Sequence, residues 1–238
     1  MKLLLFDIDG TICESGEKID DTMTKTLLNI KNKYTLGLVS GGEYNKVCNQ
    51  ISKLWDIFEY VFTENGLVSY KNKKLVSESD IRDKLGMNTI THINEVLMKY
   101  LSQTNKILIK TGSFINLRKG LIYFTPIGQN CTKQERLSFV EYDTKNNIRM
   151  EIIKDLSSLL PDLSFCIGGQ IGISISPKGW DKCKALDLIK LNKYNEIIYI
   201  GDRIHPHGND YSIAIDKRVS KYYNVTSLHN TLYILNSL

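Results

Sequence analysis

Residues 3–11, Leu-Leu-Leu-Phe-Asp-Ile-Asp-Gly-Thr, constrain the fold more than any other stretch of the chain. Four apolar residues that run directly into an acidic cluster describe a short strand buried on both faces. Such strands belong to parallel sheets covered by helices on each side. Asp7 then stands at the strand's C-terminal end, the edge where open α/β sheets receive their ligands. Asp9 follows two residues later, so an extended backbone would point both carboxylates the same way. Two carboxylates held so close repel each other, and a bound cation keeps both ionised. Hard oxygen donors of this type suit magnesium.

Acidic turns after strands are common, and Asp-x-Asp alone would signify no more than that. The complete string Asp7-Ile8-Asp9-Gly10-Thr11-Ile12, placed behind an N-terminal apolar run, resembles motif I of the haloacid-dehalogenase (HAD) superfamily. The resemblance implies that Asp7 is a nucleophile that becomes phosphorylated. An aspartyl-phosphate divides one difficult phosphoryl transfer into two easier displacements.

A chain of 238 residues has room for one large or two small domains, each with its own core. Its 42% apolar and 24% charged residues are ordinary for a soluble globular protein. The net charge of +5 is a mild basic excess without a basic stripe interleaved with aromatics, and Lys71-Asn72-Lys73-Lys74 reads as a hairpin turn. That pattern speaks against a nucleic-acid partner. Cys13, Cys48, Cys131, Cys166 and Cys183 are widely spaced and odd in number, which points to reduced thiols and a cytoplasmic location. No apolar run approaches a membrane span, and Asp7 and Asp9 interrupt what could otherwise resemble a signal-peptide core.

Along the chain, Asp20 or Asp21 can cap a helix carrying Met23, Leu27 and Ile30 at helical spacing. Residues 34–39 read as a second buried strand ending at Ser40-Gly41-Gly42, followed by a helix through Val47 and Ile51. This alternation of strand and helix predicts a parallel sheet. From about Ser79 the rhythm changes. A helix at 90–101 precedes strands at 107–109, 113–117 and 121–125, then helices at 132–142 and 146–160, then strands at 163–167 and 171–176. After Pro177-Lys178-Gly179 the first pattern resumes, with a helix from Asp181 and a buried strand at 196–200 that ends at Gly201-Asp202. The expected architecture is α/β: a HAD-like, doubly wound parallel-sheet core, residues 1–77 and 178–238, interrupted by an inserted α+β cap domain with an antiparallel sheet, residues 78–177.

A doubly wound sheet brings adjacent strand ends together, so Asp7 and Asp202 should meet and hold magnesium with the backbone carbonyl of Asp9. Ser40 occupies the place where the HAD pattern has a hydroxyl that hydrogen-bonds the transferring phosphoryl group, although a small turn hydroxyl needs no such role. Lys182, expected to open a helix, can neutralise phosphoryl oxygens and the nucleophile. Taken alone, a lysine at such a place is more often a surface helix residue. Asp210 is placed to orient it from behind. His205-Pro206-His207 lacks the additional ligands a transition-metal site requires.

A narrower resemblance covers nearly the whole chain. F-D-I-D-G-T, E-N-G-L-V-S-Y (64–70), G-S-F-I-N-L-R (112–118), P-I-G-Q-N-C-T-K-Q-E-R (126–136), N-N-I-R (146–149), G-G-Q-I (168–171), G-W-D-K (179–182) and G-D-R-I-H-P-H-G-N-D (201–210) are together similar to the eukaryotic-type α-phosphomannomutases. The resemblance implies a magnesium-dependent isomerase that interconverts mannose 6-phosphate and mannose 1-phosphate through an aspartyl-phosphate and a sugar 1,6-bisphosphate, which also serves as activator, and that supplies GDP-mannose synthesis. It implies Asp9 as general acid/base, Arg118 and Arg136 as cap residues for the hexose phosphate, metal ligation by Asp7, Asp9 and Asp202, a further cation near Asp216, and a homodimer formed through the cap.

The chain departs from that pattern in its substrate-reading positions. A third cap arginine is Gln129 here, the arginine soon after motif I is Gly16, and the Ser and Asp of Q-I-S-x-D are Gly172 and Ser174. Motif II reads Val39-Ser40-Gly41-Gly42 rather than V-G-G-S. Each lost charge-assisted phosphate contact removes on the order of 1.5–3 kcal/mol. Unless Lys110, Lys119 or Lys133 substitutes, the bisphosphate is held less well, which favours the alternative of a HAD-type sugar-phosphate phosphatase or a mutase of altered sugar specificity. The retained set Asp7, Asp9, Lys182 and Asp202 argues against a non-catalytic binding protein.

Overall fold

The N-terminal apolar run forms β1 (Lys2–Phe6), in which Leu3, Leu4, Leu5 and Phe6 are completely buried. Leu4 and Phe6 face one side of the sheet and Leu3 and Leu5 the other, so this strand belongs to two cores at once. The computed structural model describes residues 1–238 and comprises two units, Met1–Ser79 with Trp180–Leu238, and Asp80–Gly179. No helix is long and apolar enough to cross a membrane.

The first unit continues with α1 (Asp21–Ile30), β2 (Thr35–Val39), α2 (Tyr44–Ile51), β3 (Phe58–Thr63) and the hairpin β4 (Val68–Lys71) and β5 (Lys74–Glu78). The second unit contains α3 (Ile81–Leu85), α4 (Met87–Gln103), β6 (Ile115–Leu117), β7 (Ile122–Phe124), α5 (Lys133–Asn146), α6 (Ile148–Leu159), β8 (Leu163–Gly168) and β9 (Gly172–Pro177). The chain then returns to the first unit with α7 (Lys184–Asp187), β10 (Glu196–Gly201), α8 (Tyr211–Ala214), β11 (Lys221–Asn224) and α9 (Leu228–Ser237).

In the first unit the strand order is β11-β10-β1-β2-β3-β4-β5, parallel from β11 to β3 and antiparallel through the hairpin. β1 lies at the point where the chain, having wound outward through β2 and β3, returns on the other side as β10. Ligands collect at such a reversal, outside the carboxyl ends of the strands. Met23 and Leu27 of α1, Val47 and Ile51 of α2 and Ile234 of α9 close one face. Ala185 and Leu186 of α7 and Ile213 of α8 close the other with Tyr60, Phe62 and Tyr199. Asp20 caps α1 by accepting a hydrogen bond from the Met23 amide at 2.7 Å.

In the second unit the antiparallel order is β6-β7-β9-β8. Ile122, Phe124, Ile173 and Ile175 are buried, while the alternate positions form a cross-strand row of Asn116, Tyr123, Ser174 and Cys166. Helix α6 packs on β8 and β9. Asn147, in the left-handed region (φ 54°), separates α5 from α6. Buried Arg149 donates to Asp143 at 2.7 Å and to the carbonyl oxygens of Gly169 (3.1 Å) and Gly172 (3.3 Å), tying this corner to the β8–β9 turn.

Several expectations are corrected. Residues 107–109 form no strand: Ile107 is buried, but Leu108 is 78% exposed and has no sheet partner. The helix expected from Asp181 is only the single turn of α7, and Lys182 precedes it. β11 and α9 escaped notice because Lys221-Tyr-Tyr-Asn is polar, short and only partly buried, and because α9 buries only Thr231, Ile234 and Leu235.

Candidate active site

Asp7 continues the β1 ladder, its amide donating to the Ile200 carbonyl of β10 at 2.9 Å. The two strands pair in parallel from Lys2↔Glu196 to Phe6↔Ile200, so Asp7 and Asp202 emerge side by side. Asp7, Asp202 and Asp210 each offer a carboxylate oxygen, and these oxygens lie within 4.8 Å of one another. Gly10 turns above them with φ 85°, and a Cβ there would stand 2.6 Å from Asp202 Oδ2, so no larger residue fits the turn.

Lys182 has no exposed surface. Its Nζ donates to Asp7 Oδ1 at 2.5 Å and to Asp210 Oδ1 at 2.6 Å. This is a buried ion triad, not a surface helix lysine. Burial alone would lower the lysine pKa, but the Asp210 and Asp7 carboxylates outweigh it and raise it above its ordinary value. Asp210 also accepts the Tyr199 hydroxyl at 2.5 Å and the Arg203 amide at 3.0 Å. Burial works against its ionisation, and Lys182 nevertheless holds it below the usual carboxylate range. Asp7 is pushed up to about 8, mainly by burial and further by Asp210 and Asp202, against the pull of Lys182. Burial likewise lifts Asp202 to about 6.

Asp9 does not join this cluster. The strand ends at Phe6, so the alternation that would have aligned both carboxylates no longer operates two residues further on. Asp9 Oδ1 accepts from the Gly16 amide at 2.9 Å and from Gln50 Nε2 at 2.8 Å, while Lys46 pairs with Oδ2. Burial pushes Asp9 up, but the Lys46 ammonium and these hydrogen bonds hold it below the usual range. Lys46 and Gln50 are functional candidates that the motif reading missed. Their spacing on the helix after motif II, beside core-facing Val47 and Ile51, was the available signal.

Ser40, 2% exposed at the end of β2, accepts the Gly42 amide at 3.0 Å through Oγ. Asp216 lies apart from the acidic cluster: its carboxylate accepts from Arg218 Nε and a terminal guanidinium nitrogen, both at 2.8 Å. The expectation of a cation near Asp216 thus meets a carboxylate already neutralised by arginine.

In the second unit, half-buried Arg118 lies with its guanidinium 4.4 Å from the centre of the Tyr123 ring. Arg136 sits in the first turn of α5, behind the capping box of Thr132 and Glu135. Gln129 is anchored through its amide to the Ser113 carbonyl, and its side-chain Nε2 is buried without a partner. Gly172 and Ser174 lie on β9, Ser174 directly opposite Tyr123. Lys110 is not a substitute phosphate ligand, because its ammonium donates to the Leu101 (2.6 Å) and Thr104 (3.1 Å) carbonyls at the end of α4.

The carboxylates fit a hard divalent cation. Asp202 Oδ1 is buried with no hydrogen-bond partner; Lys182 answers Asp7 and Asp210, and Asp202 has only Arg203, 3.7 Å from its other oxygen. A carboxylate beside a buried ammonium, with further oxygen donors next to it, is an arrangement suited to phosphoryl transfer.

The family model for eukaryotic phosphomannomutase matches residues 23–238. The chain is 36% identical over 239 residues to "Phosphomannomutase 1" of Dictyostelium discoideum, covering 99% of this chain and 96% of that protein. It is 35% identical over 240 residues to "Phosphomannomutase" of Saccharomyces cerevisiae, covering 99% and 93%. Among solved structures, a haloacid dehalogenase-like hydrolase from Bacteroides thetaiotaomicron superposes with a TM-score of 0.59 over 99% of this chain and 98% of that one. At 15% identity that likeness establishes the fold alone.

Proposed function

The chain belongs to the eukaryotic phosphomannomutase family, a family of enzymes built on the HAD fold, and from that premise we propose that it interconverts mannose 6-phosphate and mannose 1-phosphate. The observation that carries the mechanism is Lys182, buried between Asp7 and Asp210. Asp7 is the proposed nucleophile. In its phosphorylated form it donates first: the free hydroxyl of the sugar monophosphate attacks phosphorus, the bond from phosphorus to Asp7 breaks, and the ionised Asp9 takes the hydroxyl proton, giving the sugar 1,6-bisphosphate. The bisphosphate turns around, the Asp7 carboxylate attacks its other phosphorus, the bond from that phosphorus to the sugar oxygen breaks, and Asp9 returns the proton to that oxygen. Lys182 neutralises charge at Asp7 throughout, and Ser40 donates its hydroxyl to the phosphoryl oxygens. Gln50, Lys46 and the Gly16 amide keep the Asp9 carboxylate oriented.

Asp7 and Asp202, with the Asp9 carbonyl, are the proposed magnesium ligands; when bound, the ion draws charge from the phosphoryl oxygens. Arg118 and Arg136 are the proposed phosphate ligands of the second unit, their planar forks suited to phosphate oxygens. Dependence on a sugar bisphosphate activator, a cytoplasmic location, supply of GDP-mannose synthesis and a homodimer formed through the second unit belong to the same proposal. A phosphatase on sugar phosphates is the second reading, favoured by Gly16, Gln129, Gly172 and Ser174, which stand where the family pattern has two arginines, a serine and an aspartate.

A phosphorus NMR time course decides between them. With mannose 1-phosphate, magnesium and a catalytic amount of sugar 1,6-bisphosphate, the mutase yields a growing 6-phosphate signal that Asp7→Asn abolishes. Inorganic phosphate as the sole product would overturn the mutase in favour of the phosphatase.

A further inference from the structure

We propose that Tyr123 is a positioning residue for Arg118, and that position 172 is glycine because the Tyr123 ring occupies its side-chain space. The inference rests on the phosphomannomutase reading only where it names the ligand of Arg118 as a sugar phosphate.

Tyr123 stands on β7 directly across from Ser174 of β9. A Cβ built on Gly172 would overlap the hydroxyl end of the Tyr123 ring. Nothing but hydrogen fits there while the ring stays in place. The ring is fixed at its far end, where its hydroxyl donates to the Gly168 carbonyl at 3.0 Å. Gly168 and Gly172 are themselves paired across the β8–β9 turn, which Arg149 holds from the opposite side through the Gly169 and Gly172 carbonyls. The phenol is thus pinned at its tip, flush against a bare stretch of backbone.

On this fixed ring lies the Arg118 guanidinium, 4.4 Å from its centre. A guanidinium over an aromatic face is held by the ring quadrupole, which fixes the plane in which its N–H groups lie. Arginine otherwise loses much rotamer freedom when it grips a phosphate. A ring that already orients it removes part of that cost and strengthens binding without adding a contact to the ligand. Where Gln129 and Gly172 supply no charge, a pre-oriented Arg118 compensates. Gly172, Tyr123 and Arg118 therefore form one unit: an absent side chain makes room for a ring, and the ring aims a cation.

The test uses the full chain and isothermal titration calorimetry with mannose 1-phosphate and, separately, inorganic phosphate, alongside steady-state kinetics. Tyr123→Leu should weaken mannose 1-phosphate binding and raise KM by roughly tenfold while kcat stays within about threefold, the range expected for losing an oriented cation–π contact. Tyr123→Phe, which keeps the ring, should stay within about threefold of the parent in both. In an Arg118→Met background Tyr123→Leu should have no further effect, an outcome that general damage to the sheet would not produce. Gly172→Ser should mimic Tyr123→Leu in the parent and add nothing to it in combination. Binding by Tyr123→Leu within twofold of the parent, equal losses in the Phe and Leu variants, additivity with Arg118→Met, or a parent chain that binds neither probe would each overturn the proposal. A parent that binds mannose 1-phosphate without isomerising it refutes the mutase reading and leaves the binding cycle to decide this one.

Discussion

The ammonium of Lys182 lies 2.5 Å from the carboxylate of Asp7, although 175 positions of sequence separate them. Neither side chain reaches that place by local structure. β1 and β10 deliver the aspartate edge, and the turn before α7 delivers the lysine under it.

Replacing Lys182 with Met should leave the ionised, fully buried Asp210 without its counter-charge. Urea denaturation at neutral pH should show a loss of about 3–5 kcal/mol, as for other broken buried pairs. Phosphoryl transfer should fall by roughly 10²–10³, the effect of removing one charge-stabilising donor. A variant of near-parental stability would mean that the triad contributes little to the fold.

The acidic cluster predicts a linked dependence on pH and magnesium. Asp7 and Asp202 bind protons more tightly in the folded chain than in the unfolded one, with values of about 8 and about 6. Their contribution to stability is fully present below the ordinary carboxylate range and is lost as pH rises through those two values. The metal-free protein should therefore melt at progressively lower temperature across that interval. Magnesium needs the ionised carboxylates, so the rise in Tm it produces should grow over the same interval. Thermal melts with and without chelator read both trends, and Asp202→Asn should remove most of the magnesium increment.

Asp216 should behave in the opposite sense. Arg218 holds it down to about 2, so its contribution is present above the ordinary carboxylate range and disappears as pH falls through that value. Asp216→Asn should lower Tm at neutral pH, and the difference from the parent should vanish on acidification. The magnesium increment should be unchanged; its loss would make Asp216 a cation ligand after all.

Lys46 is the cation nearest Asp9 in the clamp described above. Without it, the Asp9 pKa rises, and the acid limb of the pH–rate profile should move to higher pH in Lys46→Met. Lys46→Arg keeps the charge and should leave the limb in place. An unmoved limb in the Met variant would remove Asp9 from the proton-transfer role.

Most of the parallel core was legible in the sequence because its strands are continuous apolar runs whose ends carry the chemistry. Leu3–Phe6 and Ile197–Ile200 needed no tertiary information to be read as buried. What failed depended on context. Ile107-Leu108-Ile109 has strand composition, yet Leu108 points into solvent. Lys182 taken alone reads as a helix-surface residue, and only the return of the chain beneath β1 settles its burial. The alignment of the Asp9 carboxylate with that of Asp7 follows from a period-two rule that stops where the strand stops. The dependence of Gly172 on Tyr123 crosses two strands, and no spacing along the chain encodes it.

Arg149 gives the last of these a wider meaning. Its guanidinium grips the β8–β9 turn by main-chain oxygens, so the turn's tie to α6 does not run through the turn's own side chains. Side chains there can change without loosening that anchor, provided position 172 leaves room for the Tyr123 ring. Anchorage and side-chain chemistry are thereby separated at this corner: one arginine carries the first through the backbone, and the side chains of β9 carry the second.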